Sequence, residues 1–137
     1  MSARTKARKR ALDVLFAADV RGVEVVSVLE EEALRAASEP ERETSWLYAR
    51  EIVDGYIDHS VEIDEAITTY SRGWTLERMP AVDRAVLRCA IWELLYNRDV
   101  PATVVIAEAV DLVQELGSDD SPRFVNGLLA TVATTIS

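Results

Sequence analysis

The sequence predicts an all-α protein of about seven helices in one compact chain. Only five glycines and four prolines interrupt its 137 residues, so breaks between helices are few. Between these breaks the apolar residues recur at intervals of three and four rather than two, which is the period of an amphipathic helix. A chain of this length buries about 68% of its unfolded surface and needs neither a disulfide nor a metal to fold. We therefore expect a single domain over residues 1–137.

The first predicted helix covers about Ala3 to Asp19. Its apolar positions Leu12, Leu15 and Phe16 are expected to face inward. Gly22 then favours the left-handed conformation that commonly ends a helix.

Three further helices are predicted before residue 74. The second covers about Val25 to Ala37. Pro40 opens the third, whose apolar residues from Trp46 to Ile57 have helical spacing. The fourth covers Ser60 to Tyr70, and the polar, glycine-containing residues 71–73 end it.

The second half begins with a short predicted turn from Trp74 to Met79. The segment Ala81 to Tyr96 is apolar around nearly its whole circumference, so it predicts a central helix. The next helix, Val104 to Leu116, ends at Gly117. Its inward face is expected to consist of Val105, Ala109, Leu112 and Leu116. The last helix opens with Ser121 as N-cap and Pro122 at the first helical position.

Charge is distributed unevenly along the chain. The first ten residues carry five cations and no acid, namely Arg4, Lys6, Arg8, Lys9 and Arg10. The formal charge of the whole chain is −9, so without these five cations the rest carries −14. This asymmetry points to a polyanion bound at one end and leaves acidic faces for a basic protein partner. No Gly or Pro follows the cluster, so we expect it to form the first turns of a helix; a disordered terminus is the alternative.

Residues suited to catalysis or metal binding are scarce. The one histidine, His59, and the one cysteine, Cys89, cannot form a four-ligand zinc site and lie in different predicted helices. We interpret His59 as a surface or helix-end residue and Cys89 as a small core residue. No glycine-rich nucleotide-binding loop is present. The sequence predicts a binding protein, with no catalytic residue, metal or cofactor.

The cellular compartment is predicted from cysteine usage and hydropathy. One cysteine excludes a disulfide framework within the chain and favours a reducing compartment, so we expect the cytoplasm. No stretch approaches the roughly 18 uninterrupted apolar residues of a membrane span. Asp13, Asp19 and Arg21 interrupt the apolar run after the N-terminal cations, so neither export nor membrane insertion is indicated.

Three segments together resemble the NusB family of bacterial transcription antitermination factors. They are the basic start that runs into Leu15 and Phe16, the segment from Trp74 to Leu94, and the segment from Asp119 to Leu129 with its string FVNGLL. The resemblance covers nearly the whole chain and includes residues 99–101 followed by 106–110.

The resemblance implies two three-helix sub-bundles, here about residues 1–58 and 60–137. It implies that the protein binds the single-stranded boxA element of nascent ribosomal transcripts together with NusE, a small-subunit ribosomal protein. The complex would join RNA polymerase and other Nus factors to suppress termination, without catalysis. RNA contact is implied for the basic start and for Phe16, Asp83, Asp120, Arg123 and Phe124.

These implied roles are chemically reasonable for single-stranded RNA. Arg123 can reach phosphate from a helix N-terminus, and the Phe124 ring can stack on an unstacked base. Asp83 and Asp120 cannot attract phosphate, so they would accept hydrogen bonds from base amino groups or orient arginines. Phe16 stands where relatives often carry tyrosine, which leaves only packing or stacking. A core position for Phe124 and an unpartnered surface position for Arg123 stay open as alternatives.

A protein-binding face is predicted on the helix that follows residue 101. Glu108, Asp111 and Glu115 share one side of it, which suits a basic ribosomal protein, although a solvated face explains them equally well. Two other function classes stay open. A helical adaptor or dimerising scaffold would use exposed apolar residues for a partner or a homodimer. An RNA methyltransferase fragment would need a methyl-donor site, and no glycine-rich strand-to-helix turn supplies one.

Overall fold

A computed structural model describes residues 2–136. In this range the chain forms seven α-helices and two short 3-10 helices without any strand, so the predicted all-α class is confirmed. The α-helices are α1 (Ala3–Arg21), α2 (Val25–Ala37), α3 (Glu43–Asp58), α4 (Ser60–Tyr70), α5 (Ala81–Tyr96), α6 (Ala102–Leu116) and α7 (Ser121–Thr135). The 3-10 helices are Pro40–Arg42 and Leu76–Arg78.

Helix α1 carries the basic start and has a well-formed cap at each end. The hydroxyl of Ser2 accepts a hydrogen bond from the backbone N–H of Thr5 at 3.0 Å, which satisfies one of the free donors of the first turn. Gly22 adopts a left-handed conformation with φ 67° and ends the helix, as predicted. The cations therefore belong to a regular helix, as expected.

Three helix starts differ from the prediction, among them that of α6, which begins at Ala102 rather than at Val104. Pro40 opens a 3-10 helix, and α3 begins only at Glu43. In α7, Asp120 is the N-cap and Ser121 is already the first helical residue. Ser121 does not cap the helix because its hydroxyl accepts a hydrogen bond from the backbone N–H of Ser118 at 3.0 Å, which holds the preceding loop.

Helix α5 is the central element, as predicted. It packs against α1, α3, α4, α6 and α7. Gly55 of α3 lies directly against the indole of Trp92 in α5, and a Cβ at position 55 would overlap the ring. The glycine therefore permits the close approach of these two helices.

The helices share one apolar core. Helices α1, α2 and α3 pack on one another, and α5, α6 and α7 do the same, with α4 on α5 and α7. Because α1 and α3 also pack directly on α5, the buried apolar side chains form one cluster. The proposed boundaries of two sub-bundles, residues 1–58 and 60–137, stay a prediction.

Two apolar positions were placed wrongly. Phe16 was expected to face inward but is 36% exposed, because the buried positions Leu12 and Leu15 place it on the flank of α1. Leu116 is 39% exposed, because the buried stripe of α6 runs at intervals of four and ends before it. That stripe consists of Val105, Ala109 and Val113.

Candidate nucleic-acid interface

Four of the five N-terminal cations lie on the outer part of α1. Arg4 and Lys6 are exposed, and Lys9 is half-buried. The guanidinium of Arg4 lies 4.0 Å from the ring centroid of Tyr48, a cation–π contact with α3. Nε of Arg10 donates a hydrogen bond to the hydroxyl of Ser45 at 2.9 Å. These contacts give Arg4 and Arg10 defined directions.

The fifth cation, Arg8, is buried, and the structure argues against the predicted RNA contact. Its side chain is paired in a bidentate manner with Glu93 of α5: Nε donates to Oε1 at 2.7 Å and Nη2 to Oε2 at 3.0 Å. Nη1 also donates to Glu108 of α6 at 3.2 Å. Since only 6% of Arg8 is exposed, its guanidinium has no surface to offer to phosphate.

Tyr48 completes this buried polar network. Its hydroxyl donates to Oε2 of Glu93 at 2.8 Å and accepts from Nδ2 of Asn97 at 2.9 Å. Burial and the Glu93 carboxylate raise the pKa of Tyr48, so the hydroxyl keeps its proton. Because every oxygen of Glu93 has a donor, this ion pair meets the condition under which burial of charge is tolerated. The network fixes the first turns of α1 to α3, α5 and α6.

The predicted acidic face of α6 is smaller than expected. Glu108 is half-buried and accepts two hydrogen bonds. One comes from the hydroxyl of Thr5 at 2.7 Å, and the other from the guanidinium of Arg8. Its carboxylate is therefore part of the contact with α1. Asp111 and Glu115 are exposed and remain available to a partner.

A groove lies between the N-terminal ends of α5 and α7 and the segment before α5. Its cavity of about 440 Å³ contains all four site residues predicted from the later segments, Asp83, Asp120, Arg123 and Phe124. The remaining lining residues are Trp74, Met79, Pro80, Ser118 and Ser121. The fold thus brings residues up to 50 positions apart in the sequence into one concave surface, hereafter the aromatic groove.

Two rings form one side of the aromatic groove. The centroids of Trp74 and Phe124 are 6.4 Å apart with a tilt of 49°. Trp74 is 52% exposed, whereas Phe124 is half-buried against the core. Trp74 was not among the predicted site residues, although it opens one of the three segments on which the family resemblance depends. A second signal was a large aromatic residue in a glycine-containing turn.

Asp83 is the buried acid of the groove. It is the third residue of α5, a position from which an acid can accept the N–H of the N-cap residue. Here the N-cap is Pro80, which has no N–H to donate. Oδ1 of Asp83 is buried without a partner in the part of the chain that the structure describes. Burial raises the pKa of Asp83, and the nearby Ser121 side chain offsets part of that rise.

The N-terminus of α7 contributes the groove's exposed polar groups. Asp120, its N-cap, makes no side-chain cap bond, and both Asp120 and Arg123 are exposed. Free N–H groups at a helix start favour an anion nearby, and Arg123 adds a positive charge at the same end. The arrangement suits a phosphate beside the rings.

The basic start and the aromatic groove lie near opposite ends of α5. Helix α1 runs antiparallel to α5, since Arg8 pairs with Glu93 while Asp19 accepts from Arg84 at 2.8 Å. Asp83 and Glu93 are separated by about 15 Å along the helix axis. Phe16 lies one turn before Asp19, between the two ends. An RNA strand that contacts both regions must therefore extend over several nucleotides.

His59 and Cys89, the two residues considered as catalytic or metal-binding candidates, are both packed against other side chains. His59 ends α3 and stacks on Tyr96, with centroids 3.8 Å apart and an angle of 11° between the planes. Cys89 is buried in α5, and burial raises the pKa of its thiol. Within residues 2–136 no three His, Cys, Asp or Glu side chains are grouped to hold a metal ion. None of the helices described is long and apolar enough to cross a bilayer.

The surface combines cations on a fixed helix, two rings in a groove and a helix N-terminus beside them. These features are typical of proteins that bind single-stranded nucleic acid. The NusB family model matches residues 5–134. The transcription antitermination protein NusB of Leifsonia xyli subsp. xyli is 65% identical over 133 residues, which cover 97% of this chain and 92% of that protein. The chain belongs to the NusB family, which confirms the resemblance and the prediction of a non-enzymatic transcription antitermination factor.

Solved structures agree with this assignment. The structure of T. maritima NusB superposes with a TM-score of 0.85 at 31% identity and covers 98% of this chain and 92% of that one. A chain in a crystal structure of the antitermination factors NusB and NusE in complex with dsRNA gives a TM-score of 0.83 at 27% identity, with 98% of each chain covered.

Proposed function

We propose that this protein binds a boxA-type single-stranded element of nascent ribosomal transcripts together with NusE, in the cytoplasm. The bound complex joins RNA polymerase and other Nus factors and suppresses premature termination. Family membership and the relative solved with NusE and RNA support this assignment. The observation that carries it is the aromatic groove, which collects the predicted residues Asp83, Asp120, Arg123 and Phe124 in one cavity.

The RNA-binding residues divide into two groups. At the basic start, Arg4, Lys6, Lys9 and Arg10 attract phosphates. In the groove, the half-buried Phe124 ring stacks on a base, and the exposed carboxylate of Asp120 accepts hydrogen bonds from base amino groups. Asp83 lines the same groove but is only 3% exposed, so, like Arg8, it has little surface to offer to RNA. Phe16 adds a partly exposed ring between the two regions. The Arg8 pair with Glu93 holds the basic helix in place and makes no contact with RNA.

A single strand fits this surface better than a duplex does. Rings can stack only on bases that are already unstacked, and the major groove of an RNA duplex is too deep and narrow for side chains to read. Because the related NusB–NusE structure contains dsRNA, the preference for a single strand is the part of the proposal that needs a direct comparison.

NusE is proposed to dock on an acidic surface away from the RNA. The chain without its basic start carries −14, so a basic ribosomal protein is attracted while RNA is repelled from most of the surface. Asp111 and Glu115 on α6 are the exposed acids assigned to this contact. Their replacement by asparagine and glutamine should weaken NusE binding and leave RNA binding by the isolated protein unchanged.

Fluorescence anisotropy tests the proposal. A labelled boxA-like strand, a scrambled strand of equal composition and a boxA-containing duplex are each titrated with the protein, alone and with NusE. The proposal expects the tightest binding to the single boxA-like strand, strengthened by NusE. Equal, weak and salt-labile binding to all three would favour the adaptor or scaffold function. Light scattering on the same samples shows whether the protein is a homodimer.

A further inference from the structure

We propose that Arg72, Arg78 and Trp74 extend the RNA site into a second phosphate-binding track around the aromatic groove. The inference rests on the proposed RNA binding and adds three residues to it. It follows from which arginines lack a partner, from a second cavity beside the groove, and from the turn that carries Arg72 and Trp74.

Most arginines of this acidic chain are engaged with a carboxylate. Seven form ion pairs: Arg8, Arg21, Arg35, Arg42, Arg50, Arg84 and Arg88. Within residues 2–136, the side chains of Arg72, Arg78 and Arg123 have neither an ion pair nor a hydrogen bond. In a chain with 24 acids and a net charge of −9, three unpaired guanidiniums in one region are a departure from the general pattern.

The three unpaired arginines lie in the groove, in the cavity beside it or next to its lining residues in the sequence. Arg123 lines it directly, and Arg78 immediately precedes the lining residues Met79 and Pro80. Arg72 lines an adjoining cavity of about 400 Å³, which shares Trp74, Arg123 and Phe124 with the first. The two rings therefore form a ridge with a cavity on each side, and guanidiniums border both cavities.

The turn before Trp74 is held in an unusual conformation. Arg72 has φ 54°, the left-handed region that non-glycine residues rarely occupy, and Gly73 follows with φ 95°. The buried hydroxyl of Ser71 donates to the backbone carbonyl of Trp74 at 2.6 Å. Surrounding contacts thus fix the turn, and such fixed local strain is concentrated at functional sites.

Single-stranded RNA matches this surface in both charge and shape. Guanidiniums bind phosphate oxygens through charge-assisted hydrogen bonds, and a ring ridge accepts bases on either face. The carboxylates of an acidic peptide could pair with the arginines, but they provide no planar ring to stack on Trp74 and Phe124. We therefore assign the track to the part of the RNA strand that leaves the groove on the side of Arg72.

Neutral variants of the two new arginines test the track. Asn is used at position 72, because it tolerates the left-handed conformation better than other polar residues, and Gln at position 78. Arg50→Gln is the matched control, since Arg50 is a half-exposed arginine paired with Asp54 on α3. Single-stranded RNA binding is measured from low to high salt.

In the double variant Arg72→Asn, Arg78→Gln, the slope of log K against log salt should decrease in magnitude by about 1.4. This is about 0.7 for each lost phosphate contact. The Arg50→Gln slope should equal the wild-type slope. A double variant with the wild-type slope overturns the track while RNA binding itself stands. A wild-type protein that does not bind RNA overturns the track and the proposed function together.

Tryptophan fluorescence tests the ridge. Trp46 and Trp92 are buried, with 8% and 6% exposed, so Trp74 at 52% is the indole that RNA bases can reach. RNA should quench the emission of the wild-type protein. Trp74→Leu should abolish this quenching and weaken binding by roughly 5- to 150-fold, whereas Trp74→Phe should retain most of the affinity. Quenching that persists in Trp74→Leu contradicts the assignment, as does an acidic peptide that quenches Trp74 and displaces RNA.

Discussion

Replacement of Arg8 by alanine distinguishes a structural cation from RNA-binding ones within the same sequence cluster. Arg8 and its partner Glu93 are 6% and 1% exposed, and their contact is bidentate. Loss of one partner of a buried ion pair leaves an uncompensated charge and costs about 3–5 kcal/mol. For a chain of this size, Tm should fall by roughly 10–17 °C.

Lys6→Ala is the matched control. Lys6 is an exposed cation on the same helix, with no ion pair in the described part of the chain, so its loss should change the free energy of unfolding by less than about 0.5 kcal/mol. Urea unfolding followed by circular dichroism measures both variants. RNA binding is measured well below the Tm of either variant. The slope of log K against log salt should be smaller in magnitude by about 0.7 for Lys6→Ala and unchanged for Arg8→Ala.

The structural role of Arg8 would be refuted by the opposite pattern. An Arg8→Ala protein as stable as the wild type, with flattened salt dependence of RNA binding, would mean that the guanidinium leaves Glu93 and contacts phosphate. A double variant in which Arg8 and Glu93 are replaced by Met and Leu provides a further check. It should recover part of the lost stability, because the buried Arg8–Glu93 charges are both removed, while Glu108 keeps its hydrogen bond from Thr5.

Three further predictions concern single side chains. Because burial raises the pKa of Asp83 in the folded protein, the free energy of unfolding falls as pH rises through that pKa. Asp83→Asn should therefore be more stable than the wild type at pH 7, and this difference should shrink as the pH falls towards 3.8. Urea titrations at several pH values measure this, and a margin that grows in acid would contradict it. Gly55→Ala should lower the free energy of unfolding by about 1–3 kcal/mol, because the new Cβ overlaps Trp92; an unchanged urea midpoint would refute the close packing. Phe124→Ala should destabilise by roughly 1–2 kcal/mol, less than a fully buried ring, and also weaken RNA binding; unaltered RNA affinity in anisotropy titrations would exclude stacking by Phe124.

Much of the fold could be predicted because its strongest local signals agree with the packing. The apolar run Ala81–Tyr96 has the central position that its composition requires. The errors occur where two local choices are nearly equal. Both Asp120 and Ser121 are good N-caps, and only the contact of Ser121 with Ser118 decides between them.

The burial of Arg8 illustrates a signal that was present but not used. Arg8 lies four positions before Leu12, on the inward side of α1 rather than with the outward cations. Its partner Glu93 is an acid inside an almost wholly apolar helix, a place where an unpaired charge is too costly. Together these positions indicate a buried ion pair. Sequence alone does not reveal which acid meets which base, because that depends on the antiparallel packing of α1 and α5.

The site could be predicted only in part. Family resemblance supplied Asp83, Asp120, Arg123 and Phe124, and the fold brings them into one groove. Trp74, in contrast, belongs to the site through the turn that positions it. The unpaired state of arginines is likewise a tertiary property, since only the fold decides which guanidiniums meet a carboxylate.

The central claim is that one RNA strand spans the basic start and the aromatic groove. Ultraviolet crosslinking of a boxA-like single strand, followed by mass spectrometry of the peptides, tests it most directly. The account predicts crosslinks to residues at both ends of α5, on the peptide that contains Lys6 or Lys9 and on those that contain Trp74 or Phe124. Crosslinks confined to the basic start, or located on the acidic face around Asp111 and Glu115, would contradict it.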